Sequence, residues 1–207
     1  MKNLALHDLH GSNIASAITE IINIENQVYE PARRDSYVTL ARIACSGRSI
    51  GAVCTHNGQI VGFSLAARLE SFLHVNGCRE DCQSGRDTTL YSADIAVAES
   101  HRGQHIGFLL KIHQIYRAKL AGYGFISSRN RASLAVEMLG INECVGAKIA
   151  ARIGNAYRDQ SASRDALYLK LQLGQVSVEQ LTAQLRPAAV TAFDSYVRGQ
   201  RPDGVKI

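Results

Sequence analysis

The sequence lacks the features of several large classes of protein. It has no hydrophobic run of the length that a membrane-spanning helix needs, and Met1–His10 lacks the pattern of a signal peptide. Lysine and arginine are scattered without a basic block, and no aromatic platform for bases is present. No segment is repeated or of low complexity. These absences argue against a membrane protein and against a nucleic-acid-binding protein, and they predict a cytoplasmic one.

The composition is typical of a globular chain that buries a core. Of the 207 residues, 46% are hydrophobic and 20% are charged, and the length predicts one domain with a short appendage. The five cysteines are odd in number and irregularly spaced, so we expect reduced thiols rather than disulfides. The formal net charge of +5 suits an anionic ligand, and it leaves nucleic-acid or ribosome binding as an alternative.

One stretch, Leu90–Gly124, organises the rest of the chain. Leu90–Val97 is short, apolar and partly β-branched, which is typical of a buried strand. From Ile106 onward, apolar residues recur at steps of three and four, which is helical spacing, until Gly122 and Gly124. The pattern therefore predicts a strand, a sharp turn and a helix.

The turn, His101–Gly107, places small residues and free backbone N–H groups at the start of that helix. A helix N-terminus has unpaired donors and a partial positive charge, so it suits a phosphate group. Arg102 and His105 could add positive charge at the same place. The alternative is that this glycine-containing turn only connects the two elements.

This turn resembles motif A of the GCN5-related N-acetyltransferases (GNAT), whose pattern is Arg/Gln-x-x-Gly-x-Gly/Ala. Arg102 matches the first position and Gly107 the last, whereas His105 stands where the middle glycine is expected. A second window, Met138–Ala147, is similar to the family's M-L-x-x-N-x-x-L-G-F ending and lies at the right distance. In order of elements, the resemblance extends over Ile14–Leu173.

The resemblance implies an α/β fold: a GNAT-like mixed, mostly antiparallel central sheet with a splayed parallel strand pair and flanking helices. Leu90–Val97 and Phe125–Asn130 would be the parallel pair. Independently, Asn57-Gly58 between two apolar runs predicts an early antiparallel hairpin, because both residues tolerate positive φ. We expect a GNAT-like domain over residues 1–173 and a helical extension over residues 174–207.

Further elements follow from the spacing of apolar residues. Ala132–Val145 is predicted to be a helix, and Ala147–Tyr157 and Ala166–Leu173 are predicted to form the final hairpin. In the extension, Pro187 should kink or divide the helical segment. Its apolar residues could pack on the domain or on a second chain, so a homodimer is one interpretation.

The resemblance also implies a co-substrate, acetyl-CoA, and the residues that would hold it. The backbone of Ala96, Val97 and Ala98 would pair with the pantetheine arm and polarise the thioester carbonyl. The pyrophosphate would lie on the turn and the first residues of the helix, at Arg102, Gly103, Gln104, His105, Ile106, Gly107 and Phe108.

Candidate catalytic groups follow from the same resemblance. Asp94 would be the base, directly or through water, or would bind the substrate ammonium; the alternative is a structural aspartate that caps a loop. Glu99 is a weaker candidate for the base. Where many relatives have a tyrosine acid, this sequence has Asn142, whose amide can donate a hydrogen bond to the sulfur or pantetheine but cannot act as an acid. Tyr157 is a stand-in only if the fold brings it close.

Two other positions near the second window depart from the family's usual residues or reactivity. Ala135 stands where relatives often have an asparagine that contacts the cofactor. Cys144 has no visible base partner, so we interpret it as a core residue rather than as a nucleophile.

The acceptor side of the site is less well defined. The helix predicted over Ile14–Tyr29 shapes the acceptor site in this family, so Glu25 and Glu30 are candidates for holding a cationic substrate. The alternative, which is the more common situation for such residues, is a solvated helix face. Glu70–Thr88 is expected to loop out near the acceptor site.

A metal site is one further interpretation of the loop over Glu70–Thr88, and we do not adopt it. His74, Cys78 and Cys82 recur at intervals of four, which would place them on one face of a helix. Asn76-Gly77 argues against a helix there, and no fourth ligand is evident.

The function that the resemblance implies is transfer of an acetyl group from acetyl-CoA to a primary amine of a small molecule or peptide, by direct transfer. The missing tyrosine, Ala135 and His105 keep a second hypothesis open. In that hypothesis the chain is a catalytically inactive acyl-CoA-binding sensor or a protein-interaction module.

Overall fold

The structure is a computed structural model of the chain, and it describes residues 3–133, 136–157 and 164–200. These residues form a seven-stranded sheet of order β1-β2-β3-β4-β5-β7-β6. The strands are β1 (Leu4–Leu9), β2 (Ile50–His56), β3 (Gln59–Arg68), β4 (Thr89–Val97), β5 (Phe125–Arg131), β6 (Lys148–Ile153) and β7 (Ala166–Gln172). Neighbouring strands are antiparallel except β4 and β5, which are parallel. The predicted mixed, mostly antiparallel sheet is confirmed.

Helices cover both faces of this sheet. They are α1 (Ile14–Val28), α2 (Tyr37–Ala44), α3 (Ile106–Leu120), α4 (Val136–Cys144), α5 (Val178–Thr182) and α6 (Pro187–Gly199). Apolar residues of α1 and α2 form a core on one face, and those of α3, α5 and α6 form a core on the other. None of the described helices combines the length and apolar character needed to cross a membrane.

The early hairpin forms as predicted. Asn57 and Gly58 connect β2 and β3 with φ values of 52° and 83°, which is the left-handed backbone that this pair favours. At Gly62 a Cβ atom would lie 3.1 Å from the backbone oxygen of Ala96, so β3 can approach β4 closely only because this residue is glycine.

The C-terminal segment packs on its own chain. Pro187 is the first residue of α6 and separates it from α5, as the sequence predicts. The residues of α5 and α6 that lie in the core with α3 are Leu181, Ala189, Ala192, Phe193 and Tyr196. Helix α6 lies against β1, the other end of the described chain. The apolar face that could have joined a second copy is therefore used within the chain.

Two predicted boundaries are wrong. Helix α4 begins at Val136, and Ala132 lies in a turn; Leu134 and Ala135 are outside the described residues. Strand β6 ends at Ile153 rather than at Tyr157, because Gly154 and Asn155 turn the chain and Asn155 has a φ of 51°. Residues 158–163 of the predicted connection are also outside the described residues.

Candidate active site

Strands β4 and β5 pair at one end and separate at the other. Their register runs from Thr89 opposite Phe125 to Ser92 opposite Ser128 and stops there. Beyond this point β4 continues to pair with β3 as far as Val97, while β5 continues with β7 as far as Arg131. In the described part of the chain, the edge of Ala93–Val97 that faces β5 therefore carries unpaired backbone groups. This edge is one wall of a V-shaped gap.

A β-bulge at Ala93 directs the side chains along this wall. Asp94 pairs with Leu65 and Ser92 with Ala66, so Ala93 is the extra residue on β4. As a result Ser92 and Asp94, two residues apart, lie on opposite faces of the sheet. Ser92 donates a hydrogen bond to Gln114 of α3, and Asp94 accepts one from Tyr29, which follows α1. The bulge thus turns Asp94 toward the face that α1 covers.

The turn between β4 and α3 has the backbone that glycine favours, although histidine occupies its central position. His105 has a φ of 64° and a ψ of 14°, and Gly103 has a φ of 70°. A left-handed conformation costs a residue with a Cβ atom about 1–2 kcal/mol. The local backbone is therefore compatible with the motif in which position 105 is normally glycine.

The first turn of α3 opens toward the V-shaped gap. The N–H of Leu109 bonds to the carbonyl of His105, and the N–H groups before it have no acceptor within the helix. A Cβ atom at Gly107 would lie 3.3 Å from Ile141 of α4 and 3.8 Å from Val97 of β4. Gly107 therefore lies between the open edge of β4 and the helix that follows β5.

The structure places the predicted cofactor residues in one continuous region. Ala96, Val97 and Ala98 end the open edge, and the turn from Arg102 to Phe108 follows directly. Arg102 is exposed and lies 3.8 Å from Glu99. An extended chain with amide groups fits the β4 edge, and a phosphate fits the α3 terminus, so the residues present suit a coenzyme A derivative.

On the α1 face, Asp94 belongs to a buried group of acids. The Tyr29 hydroxyl donates to Asp94 Oδ1 at 2.7 Å, and Asp94 is 8% exposed. Glu25 is 1% exposed, and among the described residues neither its Oε1 nor Asp94 Oδ2 has a hydrogen-bond partner. Burial, together with this carboxylate, raises the pKa of Glu25 to about 10. At neutral pH Glu25 therefore keeps its proton.

Two neighbours extend this group. The backbone N–H of Asp35 donates to Glu25 Oε2 at 3.2 Å. Burial and the charge of Asp94 raise the pKa of the Asp35 carboxyl to about 6. Burial and the same charge raise the pKa of Tyr29 well above its usual value, so its hydroxyl stays a hydrogen-bond donor. The sequence interpretation missed Tyr29, which has no motif to mark it.

The two glutamates that were predicted to hold the substrate differ in their exposure to solvent. Glu30 is exposed, but Glu25 is buried, so the expectation of a solvated face is wrong for Glu25. The physical reason is its position in the apolar stripe of α1, four residues after Ile21, on the side that packs against β4. This spacing is the signal that could have identified Glu25 as buried. The interpretation of Asp94 as a loop cap is also wrong, because Asp94 lies within β4.

Asn142 lies on the other face of the sheet. It is 1% exposed, and its amide nitrogen donates to Asn130 Oδ1 at 3.0 Å and to the carbonyl of Met138 at 2.9 Å. An amide has two N–H hydrogens, so both are used within the protein. Asn142 thus ties α4 to the end of β5, and it would have to release one of these bonds to donate to a ligand.

Two other predicted residues lie away from the protein core. Cys144 is exposed, so its interpretation as a core residue is wrong; it is the last residue of α4 and faces outward. Tyr157 lies after β6, and its ring contacts the guanidinium groups of Arg33, Arg129 and Arg131. Arg33 also contacts the ring of Tyr29 at 5.2 Å, which brings Tyr157 to the same side of the sheet as Asp94.

The loop over Glu70–Thr88 packs against β6 and β7. Between them is a cavity of about 610 Å³, in which Asp81 pairs with Lys170 and accepts a hydrogen bond from Tyr168. Cys78 is buried, and burial raises its pKa to about 12. Within the described residues, no group of three or more His, Cys, Asp or Glu side chains is placed to hold a metal ion.

Comparison with known proteins rests on structure alone. No family model matches the sequence, and no curated protein matches it either. Among solved structures, the ribosomal-protein-S18-alanine N-acetyltransferase from Escherichia coli superposes with a TM-score of 0.65 at 19% identity, covering 84% of this chain and 97% of that one. The chain has the GNAT fold. The fold that the turn at Arg102–Gly107 suggested is thereby confirmed.

Two further structures with this fold were determined with acyl-CoA ligands. A GNAT-like decarboxylase in complex with isobutyryl-CoA has a TM-score of 0.63 at 19% identity, covering 81% of this chain and 98% of that one. A Salmonella typhimurium protein assigned as an acetyltransferase, with its cofactor acetyl-CoA, has a TM-score of 0.61 at 16% identity, covering 85% and 97%. Because one of these GNAT-fold proteins is a decarboxylase, the fold by itself does not define the reaction.

Proposed function

We propose that this protein is an N-acetyltransferase that moves an acetyl group from acetyl-CoA to a primary amine of a small molecule or peptide. One observation carries the proposal: the open edge of β4 leads into the unpaired N-terminus of α3, and Asp94 lies on the same strand. Structures with the same fold contain acetyl-CoA and isobutyryl-CoA, which supports acetyl-CoA as the co-substrate.

In this proposal the backbone holds most of the co-substrate. The pantetheine arm pairs with the edge of Ala93–Val97 as an added strand, and a backbone N–H there polarises the thioester carbonyl. The pyrophosphate lies on the N–H groups of Ile106, Gly107 and Phe108 and on the positive end of the helix dipole. Arg102, which is exposed, supplies additional charge.

Asp94 is the base that accepts a proton from the acceptor amine. The amine arrives as an ammonium ion, binds the Asp94 carboxylate and transfers a proton to it directly or through water. The Tyr29 hydroxyl donates a hydrogen bond to Asp94 and holds it in position, with protonated Glu25 beside it. The neutral nitrogen then forms its bond to the acetyl carbon as the carbon–sulfur bond breaks. The nitrogen still carries a second proton, which it releases to solvent as the amide forms. Solvent also takes the first proton from Asp94 and supplies one to the thiolate, so one proton is released overall.

Asn142 is assigned a positioning role in this scheme. Its bonds to Asn130 and Met138 join α4 to β5, which is the second wall of the V-shaped gap. An amide cannot supply a proton near neutral pH, so no acid step passes through it. Tyr157 lies on the acceptor side, which is the face of the sheet that α1 covers and that carries Asp94. The scheme assigns it no proton transfer.

Calorimetric titration with acetyl-CoA tests the cofactor site first. We expect micromolar binding that weakens when dephospho or desulfo analogues replace the natural thioester. Thiol release with a panel of amines then separates the two hypotheses that the sequence left open. Release above the rate with water supports the transferase. Binding of acetyl-CoA without release by any amine would instead identify a sensor, and no binding at millimolar acetyl-CoA would contradict both.

A further inference from the structure

Two arginines on the acceptor side lie close to aromatic rings and have no acidic partner. The Arg33 guanidinium lies 5.2 Å from the ring centre of Tyr29 and 5.8 Å from that of Tyr157. Arg129 lies 5.0 Å from the Tyr157 ring. Within the described part of the chain, neither arginine forms an ion pair or a side-chain hydrogen bond. Both are half-buried, so their charges are partly withdrawn from water.

Other arginines near the surface differ from Arg33 and Arg129 because they have partners within the protein. Arg68 pairs with Asp87 at 3.2 Å, and Arg152 pairs with Asp165 at 3.0 Å. Arg131 also lies against the Tyr157 ring, at 4.6 Å, and it has further partners in the protein. Guanidinium groups bind carboxylates and phosphates through paired N–H donors, and Arg33 and Arg129 have these donors available.

Tyr29 connects this basic pair to the proposed catalytic carboxylate. Its hydroxyl donates to Asp94, and the same ring contacts Arg33. Asp94 and Arg33 therefore contact the same tyrosine, Asp94 at its hydroxyl and Arg33 at its ring. The acceptor side thus has a negative group where the amine must bind and positive groups a short distance away. A ligand with one positive and one negative group matches this arrangement.

We propose that the acceptor amine carries a carboxylate, as amino acids do, and that Arg33 and Arg129 bind this carboxylate while Asp94 receives the ammonium. This inference rests on the proposed N-acetyltransferase function. A peptide with a free C-terminal carboxylate belongs to the same class. The tyrosine rings hold the two guanidinium groups in place before the ligand arrives, which reduces the entropy lost on binding.

Matched acceptors test the role of the carboxylate. Thiol release from acetyl-CoA is measured with aminohexanoate, with aminohexanamide and with hexylamine, which differ only at the distal group; glycine and β-alanine vary the distance between the charges. We expect kcat/KM for the best carboxylate to exceed that of its matched amide by about 10- to 100-fold, the range of a charge-assisted hydrogen bond. Phosphoethanolamine, compared with ethanolamine, shows whether a phosphate is preferred instead.

Variants connect that preference to the two arginines. Arg33→Met and Arg129→Met should each remove most of the preference, because they raise KM for the carboxylate far more than KM for the amide. Arg198→Met, at an exposed position on α6, is the matched control for loss of charge and should retain the preference. As a readout without turnover, aminohexanoate added to the CoA-bound protein should raise the melting temperature of the wild type further, but not that of Arg33→Met.

The outcomes separate the two proposals. Equal rates for carboxylate, amide and hexylamine would overturn this inference and leave the transferase function intact, as would a preference that survives both arginine substitutions. A preference for phosphoethanolamine would also overturn the carboxylate assignment. If acetyl-CoA binds and no amine releases thiol, the proposed function fails, and the inference about its acceptor fails with it.

Discussion

Glu25 is a carboxylic acid at a position where α1 presents its apolar stripe to the sheet. It is 1% exposed and forms no ion pair within the described residues; its neighbours are the carboxyl of Asp94 and the backbone of Asp35. An isolated buried charge is too costly, so the group keeps its proton instead. Glu25 is therefore protonated at neutral pH, beside Asp94. Pairs of this kind are frequent at catalytic sites, where one group must exchange a proton.

Replacing Asp94 with asparagine tests the base directly. We expect kcat/KM to fall by about 100-fold or more near pH 6, where the acceptor is an ammonium ion, and by less near pH 9, where more of it is already neutral. A pH–rate profile of Asp94→Asn against the wild type is the measurement. Glu99→Gln, at the exposed alternative candidate, should change the profile little. An equal loss at every pH would assign Asp94 to substrate binding or to structure.

The raised pKa of Glu25 makes a prediction about stability. The unfolded carboxyl titrates near 4.5, whereas the folded pKa is about 10. Between these values the folded protein holds a proton that the unfolded chain has lost, so this group lowers the free energy of unfolding as pH rises. The slope is at most about 1.4 kcal/mol per pH unit.

Glu25→Gln keeps the shape and a hydrogen-bond donor but removes this titration. We expect the variant to gain stability over the wild type as pH increases from about 5 to about 9, because only the wild type must ionise on unfolding. Urea unfolding across that range measures the difference. Glu30→Gln, on the exposed side, is the matched control. Parallel stability curves for wild type and Glu25→Gln would show that Glu25 is ionised in the folded state.

At the scale of elements, the site depends on a strand that loses its partner and a helix that begins beside it. The β4–β5 pairing ends at Ser92 and Ser128, and α3 begins at Ile106. His105 adopts the left-handed backbone at the start of α3. The helix therefore begins where the motif places it, although histidine does not favour this conformation. The resulting set of N–H groups and the helix dipole are properties of the element rather than of any one side chain.

Gly107→Glu should abolish binding of acetyl-CoA at this boundary. The new side chain adds bulk between Val97 and Ile141 and a negative charge at the proposed phosphate site. We expect the dissociation constant to rise at least about 100-fold by calorimetry. Gly174→Glu adds the same charge at an exposed glycine with open space around it, and it should bind normally. Unchanged affinity in a folded Gly107→Glu protein would refute the placement of the cofactor.

At the scale of the molecule, polar contacts join the two ends of the described chain through α3. The hydroxyl of Tyr196 in α6 donates to Asp8 Oδ1 in β1 at 2.8 Å, and buried His113 of α3 lies 3.0 Å from the same oxygen. Although burial acts to raise it, hydrogen bonds from His113 and Tyr196 hold the pKa of Asp8 below its usual value. Burial lowers the pKa of His113. The C-terminal helices are thus attached by a buried network as well as by apolar packing.

Tyr196→Phe measures the contribution of this network to the free energy of unfolding. Removing the hydroxyl deletes its bond to Asp8 and leaves His113 and Arg117 with fewer partners, at a cost of about 1–3 kcal/mol in the free energy of unfolding. Denaturant unfolding monitored by far-UV circular dichroism gives the value. Tyr37→Phe, at a tyrosine that is 52% exposed, should cost far less. Equal losses in the two variants would mean that the network adds nothing beyond the apolar contacts of the ring.

Local sequence accounts for much of the framework. The hairpin at Asn57-Gly58, the start of α3 at Ile106 and the break at Pro187 follow from backbone preferences of a few adjacent residues. Such preferences act over short distances, so they can be identified without the rest of the fold. Of the two wrong boundaries, the end of β6 does carry a local signal, because Gly154 and Asn155 are turn residues. The start of α4 is a helix end, which local preferences place poorly.

The composition of the candidate site was decided by tertiary structure. Tyr29 and Asp94 are 65 residues apart, and they meet because α1 packs on the sheet and a bulge at Ala93 turns Asp94 toward it. Arg33 and Arg129 meet at Tyr157 in the same way, across three separate segments. No residue near Ala93 signals a bulge, because strand register is set by pairing with β3. The sequence by itself specifies the elements and the turn proposed to bind phosphate, whereas the acids and arginines of the proposed acceptor site come together only once the layers pack.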